Sequence, residues 1–530
     1  MRMFQTIRRV SFAAVMSVVW PELTFAVTLN VPADYPTIQA CIDAAMSGDD
    51  ECVVAPGTYN ETINFLGKAI TLRSSGGKEV TTIDATGIGG GVVTCANGEG
   101  PNTVLDGFTI TGGTGAVVPP GFSYGGGMYN EGSSPTVIRC TFHLNSAIDG
   151  GGGMYNFGGS PTVSHCTFTE NMAGGFFGDG GGMFNSSSSP TVSNCMFSEN
   201  IATLDGGGMH NTDTSNPTVT DCTFQLNNAT RLGAGMMNNE SSSPFVSNCT
   251  FRRNIAGEYG GGMCNAYASS PTVANCTFNG NIALAWGGGG MANLYGSPTV
   301  TACKFSGNTA GQWGAGMYND HSYPTVRTCT FSGNVATSTG GGVYNIHSSP
   351  ILSHCIFWGD NPDEIAVGTQ SAPNVRFSDV QGGLPIGAIN TGGNINSDPK
   401  FVRMPSPGPD GMWNGVNDNY GDLHLRATSP CINTGDPGYA VQPGETDLDG
   451  HARVLCVRVD MGAYEFGIGD YDCNRIVDLT DFGAWDYCVT GPSETTAAPL
   501  GIGCAAFDFN ADFAVDLLDF AGFQRVINAP

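Results

Sequence analysis

The chain has 530 residues, a formal net charge of −26 and a pI near 4.4, and only 12% of its residues are charged. Phosphate binding needs clustered Lys and Arg, so this charge argues against nucleic-acid and anionic-membrane partners and favours cations. The 78 Gly residues do not indicate disorder, because 40% of the chain is hydrophobic and its hydrophobic residues recur periodically.

The first 26 residues are typical of a secretory signal peptide. Three arginines precede an apolar run at residues 10–20, and Ala26 is a small residue of the cleavage-site kind. The run is too short to span a bilayer, and no second run of spanning length follows. We therefore expect a secreted or cell-surface protein without a membrane span in its mature chain. The alternative is an uncleaved membrane anchor.

Residues 27–120 are expected to form an N-terminal cap and the first coils of a solenoid. Ile38, Cys41, Ile42 and Ala45 fall on one face of a short predicted helix, and the region of residues 53–70 has a strand-like pattern.

Residues 121–358 repeat one pattern nine times. The pattern is GGGMYN, a short Ser-rich gap, SPTV, two variable residues, CTF, two more residues and N-x-A. Its successive Cys are 26 to 29 residues apart, by subtraction of their numbers, and a period this regular predicts a solenoid of stacked units. The Met positions are Met128, Met154, Met183, Met209, Met236, Met263, Met291, Met317 and, substituted, Val343, and the Cys positions are Cys140, Cys166, Cys195, Cys222, Cys249, Cys276, Cys303, Cys329 and Cys355.

The composition of the repeat indicates which solenoid it forms. Each unit contains three short β-prone pieces, GMYN, PTV and CTF, separated by Gly, Ser or Asn corners, and it has no stretch with helical apolar spacing. Alternation points the Met, Val, Cys and Phe of each unit inward, and coils stacked about 4.8 Å apart place like residue on like residue. The sequence therefore predicts an all-β, three-sided parallel β-helix.

Two columns of Asn fit this prediction. Stacked side-chain amides can hydrogen-bond from one coil to the next and so provide partners for polar groups that are buried at the corners. The alternative role for these columns is ligand binding. The first column is Asn130, Asn156, Asn185, Asn211, Asn238, Asn265, Asn293, Asn319 and Asn345, and the second is Asn145, Asn171, Asn200, Asn227, Asn254, Asn281, Asn308 and Asn334.

The Cys of the repeat are expected to be free and buried, because parallel side chains in register fit the disulfide dihedral poorly. Disulfides are therefore expected outside this column. The predicted pairs are Cys41 with Cys52, Cys431 with Cys456, and one pair among Cys473, Cys488 and Cys504.

Residues 31–74, VPADYPTIQACIDAAMSGDDECVVAPGTYNETINFLGKAITLRS, resemble the opening of right-handed parallel β-helix proteins of the pectin lyase-like superfamily. In that family such a helix caps the open end of the solenoid, so the resemblance, which covers residues 31–358, implies a right-handed solenoid with a capping helix. Residues 359–466 resemble the closing segment of large exported bacterial β-helix proteins and are expected to complete the last coils. His424 and His451 are expected to be solvated loop residues.

The last segment, residues 467–530, contains two acidic loops, GDYDCNRIVDLTDF and FDFNADFAVDLLDF. Each loop places oxygen side chains at positions 1, 3, 5, 9 and 12, the spacing that supplies Ca²⁺ with its six to eight oxygens. The alternative is two acidic surface loops without metal. The predicted ligands are Asp470, Asp472, Asn474, Asp478 and Asp481 in the first loop and Asp508, Asn510, Asp512, Asp516 and Asp519 in the second.

These loops, each followed by a short predicted helix, resemble a type I dockerin, which implies a small α-helical, EF-hand-like domain and a cohesin-like partner. The usual Gly at position 6 is Arg475 or Phe513, which predicts a strained turn and reduced affinity. The positions through which dockerins recognise cohesins hold Leu479-Thr480 and Leu517-Leu518, which departs from the family pattern.

The predicted outer face of the CTF strands carries mostly Thr, Ser and Asn with a single Asp, as a solvated β surface does. The corner before each Gly triplet has a different composition. Three Asp on adjacent coils would repel unless a cation relieves them, and three aromatic rings would offer sugars a stacking platform. Alternatively, the Asp are ordinary turn residues and the rings cover a corner. The corner residues are Tyr124, Asp149, Asp179, Asp205, Leu232, Tyr259, Trp286, Trp313 and Thr339.

The sequence therefore predicts an exported β-helix protein that binds polysaccharide through Tyr259, Trp286 and Trp313 and is attached through its calcium module. One alternative is a polysaccharide lyase or glycoside hydrolase that uses Asp149, Asp179 and Asp205, although no Arg or Lys is evident at that corner. Another is a structural adhesin stalk. The outward residues of the Met strands, Tyr129, Tyr155, Phe184, His210, Tyr318 and Tyr344, are interrupted by Met237, Cys264 and Ala292, which favours a scaffold role for them.

Overall fold

The computed structural model describes residues 26–46, 48, 50–413, 415–483, 485–489, 504–512 and 514–526. Within these residues the chain winds into a parallel β-solenoid of three long sheets and one ladder of two-residue strands. We name the sheets after the repeat pieces that form them: the PTV sheet, the CTF sheet, the MYN sheet and the N-x-A ladder. The signal peptide expected in residues 1–26 lies, except for Ala26, outside the described residues.

The strands are short because Gly, Ser and Asn corners interrupt each coil. The PTV sheet contains Thr28–Val31, Glu51–Val54, Thr71–Ser74, Val104–Asp106, Thr136–Ile138, Thr162–Ser164, Thr191–Ser193, Thr218–Thr220, Phe245–Ser247, Thr272–Ala274, Thr299–Thr301, Thr325–Arg327, Ile351–Ser353, Asn374–Arg376 and Ile389–Asn390. The CTF sheet contains Gly57–Tyr59, Thr81–Asp84, Thr109–Thr111, Thr141–His143, Thr167–Thr169, Met196–Ser198, Thr223–Gln225, Thr250–Arg252, Thr277–Asn279, Lys304–Ser306, Thr330–Ser332, Ile356–Phe357 and Asp379–Val380.

The MYN sheet contains Ile63–Asn64, Val93–Cys95, Met128–Glu131, Met154–Phe157, Met183–Ser186, Met209–Thr212, Met236–Asn238, Met263–Ala266, Met291–Leu294, Met317–Asp320, Val343–Ile346 and Ile365–Val367. The N-x-A ladder, a fourth short side that the sequence did not predict, contains Ser146–Ala147, Met172–Ala173, Ile201–Ala202, Asn228–Ala229, Ile255–Ala256, Ile282–Ala283, Thr309–Ala310 and Val335–Ala336. Two antiparallel pairs, Ala116–Val118 with Phe122–Tyr124 and Phe401–Arg403 with Asp422–Leu425, lie outside these sheets.

The predicted stacking of like residues is confirmed. Met128 pairs with Met154 and Asn130 with Asn156, in register. From Phe142 to Phe357 the inward Phe rings form one stack with successive centroids 4.5 to 4.9 Å apart. The core is therefore one continuous apolar column along the solenoid axis.

The Gly triplet makes the corner before each Met strand possible. Gly151 has φ +64, and a Cβ at this position would lie 2.5 Å from the carbonyl oxygen of Met154. A side chain would therefore meet backbone at a conformation that L-residues rarely adopt, which explains why Gly recurs there.

An α-helix, Ile38–Ala44, follows the first strand, and Thr37 caps its N-terminus by accepting the N–H of Ala40 with its hydroxyl. Its buried residues Ile38, Cys41 and Ile42 join the apolar column at its N-terminal end. Hydrophobic residues at this helical spacing therefore anchor the helix on the solenoid.

Residues 401–466, which we call the closing lobe, fold back over the outer face of the CTF sheet. The Ser306 hydroxyl donates to the carbonyl of Tyr420 at 2.8 Å, and the N–H of Ala463 donates to the Thr330 hydroxyl at 2.9 Å. Both Ser306 and Thr330 are buried. This part of the CTF face is therefore an interior surface, whereas the sequence predicted a solvated one.

Two of the predicted disulfides are confirmed. Cys41 bonds to Cys52 across a Cα–Cα distance of 6.1 Å, and Cys488 bonds to Cys504 across 5.2 Å. The Cys of the repeat are free and buried, as predicted.

The predicted pair of Cys431 with Cys456 is wrong. Cys431 is a free thiol in the buried contact between lobe and solenoid, where it donates to Asp379 at 3.2 Å. Cys456 is only half-buried and bonds to Cys473 across a Cα–Cα distance of 5.8 Å. The lobe therefore turns these two cysteines toward different partners, which sequence spacing did not reveal.

Near the C-terminus lie the helices Leu479–Phe482, Trp485–Cys488 and Leu517–Val526 and the 3₁₀ helix Cys504–Phe507. Trp485, Phe507, Val515 and Phe523 form a small separate core between them. No helix in the described part of the chain is long and apolar enough to cross a membrane.

Candidate functional site

The three predicted catalytic Asp lie at one corner of successive coils, but each bonds a different partner. Asp149 accepts the N–H of Ser123 at 2.7 Å, and Asp179 accepts the N–H of Asp205 at 3.1 Å. Over the residues that the structure describes, the three do not form a group with ligand atoms within 4.8 Å of one another. The three Asp therefore do not form one compact set of metal ligands.

Arg231 is a basic residue at this corner that sequence analysis missed. Its guanidinium donates from Nε and Nη2 to the two oxygens of Asp205, at 3.0 and 2.5 Å. Asp205 is buried and also accepts the N–H of Leu232 at 3.0 Å. Arg231 stands one residue before the corner position of its repeat. A comparison of the residues at the corner position alone, repeat by repeat, therefore does not include it.

His210 lies beneath the same corner, with Nδ1 3.6 Å from Asp179 Oδ1. It is 3% exposed, and neither ring nitrogen has a hydrogen-bond partner among the described residues. Burial lowers the pKa of this imidazole, but the charge of Asp179 outweighs burial and leaves the pKa raised. The carboxylate of Asp179 therefore favours the charged form of this buried imidazole.

The predicted aromatic residues do come together. Tyr259, Trp286, Trp313 and Tyr344, which we call the aromatic strip, follow one another along the solenoid. Successive ring centroids are 6.5, 5.8 and 6.1 Å apart, and the ring planes differ by 19°, 13° and 18°. Trp286 is 37% exposed and the other three rings are half-buried. The strip is therefore a continuous row of near-parallel rings that reaches solvent.

The strip rests on the outward residues of the MYN sheet. Tyr318 is 4% exposed and packs against Tyr259 and Trp313, with ring centroids 5.3 and 6.3 Å apart. Met237, Cys264 and Ala292, which interrupt the row of rings, are fully buried beside Leu232. The MYN outer row is thus a second apolar layer, which supports the scaffold role predicted for it.

A cleft of about 380 Å³ lies where the closing lobe meets the CTF face. It is lined mainly by polar residues, including Thr250 and Thr277 of the sheet and Asp449 and Tyr464 of the lobe. Near it His424 contacts Asp422 through Nδ1 and Asp449 through Nε2, each at 2.6 Å.

Burial disfavours the charged form of His424, but its two carboxylate partners outweigh burial and raise its pKa to about 9. The imidazole is therefore a cation bound on both sides. Its side chain is still 43% exposed, but it lies on the strand Asp422–Leu425 and not on the loop that the sequence predicted. Because Asp422 and Asp449 belong to separate segments of the lobe, the contact holds the lobe together.

The first acidic loop gathers Asp470, Asp472 and Asp481, whose ligand atoms lie within 4.8 Å of one another. Asp481 is fully buried and accepts the N–H of Asp478 at 2.8 Å, so the loop wraps around it. Burial, together with the charges of Asp481 and Asp472, raises the pKa of Asp470. Asn474 donates to Asp472 at 2.9 Å. The set consists of hard oxygen donors, which fits Ca²⁺.

The second loop gathers Asp508, Asp512 and Asp519, at positions 1, 5 and 12, whereas the first loop gathers positions 1, 3 and 12. Asp519 is fully buried and accepts the N–H of Asp516 at 2.9 Å, while Asn510 donates to Asp512 at 3.1 Å. Each loop therefore gathers three carboxylates, and Tyr471 and Phe509 of the two loops pack against the same small core.

The predicted position-9 ligands do not join these clusters. Asp478 accepts the N–H of Thr480 at 2.6 Å and caps the next helix, and Asp516 accepts the N–H of Leu518 at 2.7 Å. Arg475, at position 6, has φ +72, the left-handed conformation that normally selects Gly. Phe513, at the same position of the second loop, lies outside the described residues.

Comparison with known proteins identifies the architecture. The family model described as the right handed beta helix region matches residues 58–251 and 247–380, more than half of the chain. A search of curated proteins found no match.

Among solved structures, pectate lyase Pel9A is 13% identical with a TM-score of 0.38, and the alignment covers 81% of this chain and 90% of that chain. The catalytic unit of the GH87 α-1,3-glucanase from Streptomyces thermodiastaticus is 14% identical with a TM-score of 0.33, covering 68% and 66%. The A-module of the Azotobacter vinelandii mannuronan C-5 epimerase AlgE6 is 13% identical with a TM-score of 0.35, covering 68% and 95%.

Proposed function

The chain belongs to the right-handed β-helix family, and from that premise we propose that it is an exported protein that binds polysaccharide on the aromatic strip and is attached through a C-terminal calcium module. The strip is the single observation that carries this proposal. A regular solenoid needs no row of partly exposed indoles, and large exposed apolar surfaces normally mark a binding site.

The geometry of the strip suits an extended sugar chain. Its centroid separations of 5.8 to 6.5 Å exceed the contact distance of directly overlapping rings, about 3.5–4.0 Å, so each ring is offset and leaves part of its face uncovered. Glu258 and Gln312 precede Tyr259 and Trp313 on the same coils and are partly exposed. Apolar ring faces beside polar side chains match the two kinds of surface that a sugar presents.

The C-terminal loops support an attachment role. Asp470, Asp472 and Asp481 of the first loop would hold one Ca²⁺, which would neutralise their mutual repulsion. Asp508, Asp512 and Asp519 of the second loop would hold another. The ion would fix each loop against the helix that follows it, as in an EF-hand-like module. A cohesin-like protein is the partner that we propose for the resulting surface.

Two further features fit an exported protein. Disulfides such as Cys41–Cys52 persist in oxidising compartments, and residues 1–26 would serve as the signal peptide. The helix Ile38–Ala44, with its apolar face on the first coils, would cap the open end of the solenoid against association with other chains.

A lyase or hydrolase centre at Asp149, Asp179 and Asp205 receives less support from the geometry. Asp205 is neutralised by Arg231, and Asp149 is 8% exposed and bonded to backbone. An acid and a base need access to the scissile bond, which buried and paired carboxylates do not have.

The test is retention of the full chain on a glycan array with Ca²⁺ present, followed by mass analysis of every retained glycan. We expect intact glycans, and binding about 30-fold weaker after Trp286→Ala with Trp313→Ala, from about 1 kcal/mol lost at each ring. Tyr323→Ala, which removes a 61% exposed ring outside the strip, is the matched control. Binding by the double variant as tight as that of the wild type would contradict the proposed site. Shortened or unsaturated products would show that the chain cleaves the glycan and would contradict a function in binding alone.

A further inference from the structure

A group of three metal-ligand side chains lies on the outer edge of the MYN sheet, where the Met strands end. His321 and His347 each stand two residues after the Asn of their repeat, and Asn319 pairs with Asn345 in register. Both His adopt the left-handed conformation, with φ +49 and +48. Because the coils stack, the two imidazoles lie one above the other with ring centroids 4.4 Å apart.

Asp320 lies between these rings. Its Oδ1 is 2.6 Å from His321 Nδ1 and 3.5 Å from His347 Nδ1, and the three ligand atoms all lie within 4.8 Å of one another. Both imidazoles thus direct the same ring nitrogen at the same carboxylate oxygen. The ring of Tyr295 stacks on His321 at 4.7 Å from the other side and fixes its orientation.

We propose that Asp320, His321 and His347 bind a divalent transition-metal ion such as Zn²⁺ or Cu²⁺. Two imidazoles and one carboxylate suit these ions and not Ca²⁺, which selects oxygen donors. The three side chains are 28 to 43% exposed, so an ion reaches them from solvent and water completes its coordination. The site is chemically distinct from the acidic loops of residues 470–519.

Such an ion would link two successive coils, because its ligands come from the ends of the strands Met317–Asp320 and Val343–Ile346. Linking adjacent coils stabilises a solenoid locally, since each coil contacts only its neighbours. In the simpler alternative both imidazoles stack and hydrogen-bond to Asp320 without binding a metal. The test distinguishes the two, because the alternative predicts no metal binding at these residues.

The test is calorimetric titration of the metal-free full chain with Zn²⁺, in excess Ca²⁺ that occupies the acidic loops. We expect one site per chain, weakened by at least about 10-fold in His321→Asn and in His347→Asn. Asn tolerates the left-handed conformation of these positions. His165→Asn, at an exposed His with φ +55, is the matched control and should bind Zn²⁺ as the wild type does.

Cu²⁺ provides the second readout, because nitrogen hyperfine couplings in electron paramagnetic resonance count the bound imidazoles. Two nitrogens are expected in the wild type and one in each His variant, with unchanged circular dichroism. Equal Zn²⁺ binding by the wild type and the His321→Asn, His347→Asn double variant would overturn the proposal. Zn²⁺ binding that Ca²⁺ abolishes would also overturn it, since the ion would then occupy the acidic loops.

Discussion

Asn254 stands in the middle of the second Asn column, and its replacement by Ala tests how the corners are stabilised. Its side chain is fully buried. Oδ1 accepts from the N–H and the Nδ2 of Asn227 at 3.1 and 2.9 Å, and Nδ2 donates to Phe224 O and to Asn281 Oδ1, both at 2.9 Å. At about 1 kcal/mol net for each hydrogen bond, Asn254→Ala should cost about 4 kcal/mol.

Asn238, in the first column, provides an internal comparison of the same chemistry. It is also fully buried, but its side chain makes two of these hydrogen bonds, to Asn211 and Asn265, each at 2.8 Å. Asn238→Ala should therefore cost about 2 kcal/mol, half as much. Asn60→Ala, at an exposed Asn in a loop, is the control and should stay within about 0.5 kcal/mol of the wild type.

The assay combines urea unfolding with native-state hydrogen exchange, because a solenoid need not unfold in one step and exchange reports the free energy of opening coil by coil. We expect loss of protection to centre on the coils that carry residues 227–281. We expect Asn254→Ala to be less stable than Asn238→Ala. If the two variants are equally stable, or Asn254→Ala is the more stable, the number of hydrogen bonds does not set the stability of the corner and the reasoning is refuted.

Three further predictions concern charge. Burial raises the pKa of Asp360 from its ordinary value of 3.8, and burial together with the charge of Asp360 raises the pKa of Glu364 from 4.5, so the folded chain keeps a proton that the unfolded chain loses. The contribution of this pair to stability should therefore fall as the pH rises above about 4, so Glu364→Gln should become more stable relative to the wild type as the pH rises, measured as the difference in Tm between pH 4 and 8. Arg231→Met should destabilise the chain by about 1–3 kcal/mol in urea unfolding, because it leaves Asp205 buried without its cation, and adding Asp205→Asn should recover part of the loss. Calcium at about 100 times its Kd should stabilise the C-terminal module by about 2.7 kcal/mol for each occupied loop, measured by calorimetry, and Asp481→Ala should remove the contribution of the first loop.

The solenoid was predictable because its period constrains each position many times. The inward Phe, the two Asn columns and the free Cys each recur in register, so a single mistaken residue does not change the conclusion. The aromatic strip was predictable for the same reason, since Trp286 and Trp313 occupy equivalent positions of adjacent repeats. Where coils stack, residues at the same position of successive repeats lie next to one another in space.

Features outside the period were not predictable in this way. The closing lobe contacts the CTF face through pairs such as Ser306 with Tyr420, 114 residues apart, and no spacing in the sequence encodes that return. The pairing of Cys456 with Cys473 depends on the same placement of the lobe. Asp320, His321 and His347 do follow the period, and an aligned column two residues after the Asn would have found the two His.

The direction of the second Asn column explains where the repeat ends. Every Asn of the column donates from Nδ2 toward the next coil, so the first member needs a donor from elsewhere and the last needs an acceptor beyond it. At the start, Asn145 Oδ1 accepts the N–H of Gly113 at 3.1 Å. At the end, Asp360 accepts both the N–H and the Nδ2 of Asn334 at 2.8 Å.

An Asp suits this final position because it has no following rung to donate to, whereas another Asn would leave a buried donor unpaired. Its second oxygen, Oδ2, is buried without a partner among the described residues, and the carboxyl of Glu364 accepts the backbone N–H of Asp360 at 3.2 Å. These two carboxyls therefore need the proton whose loss the Glu364→Gln experiment measures. The change from Asn to Asp in the sequence marks the coil at which the ladder stops.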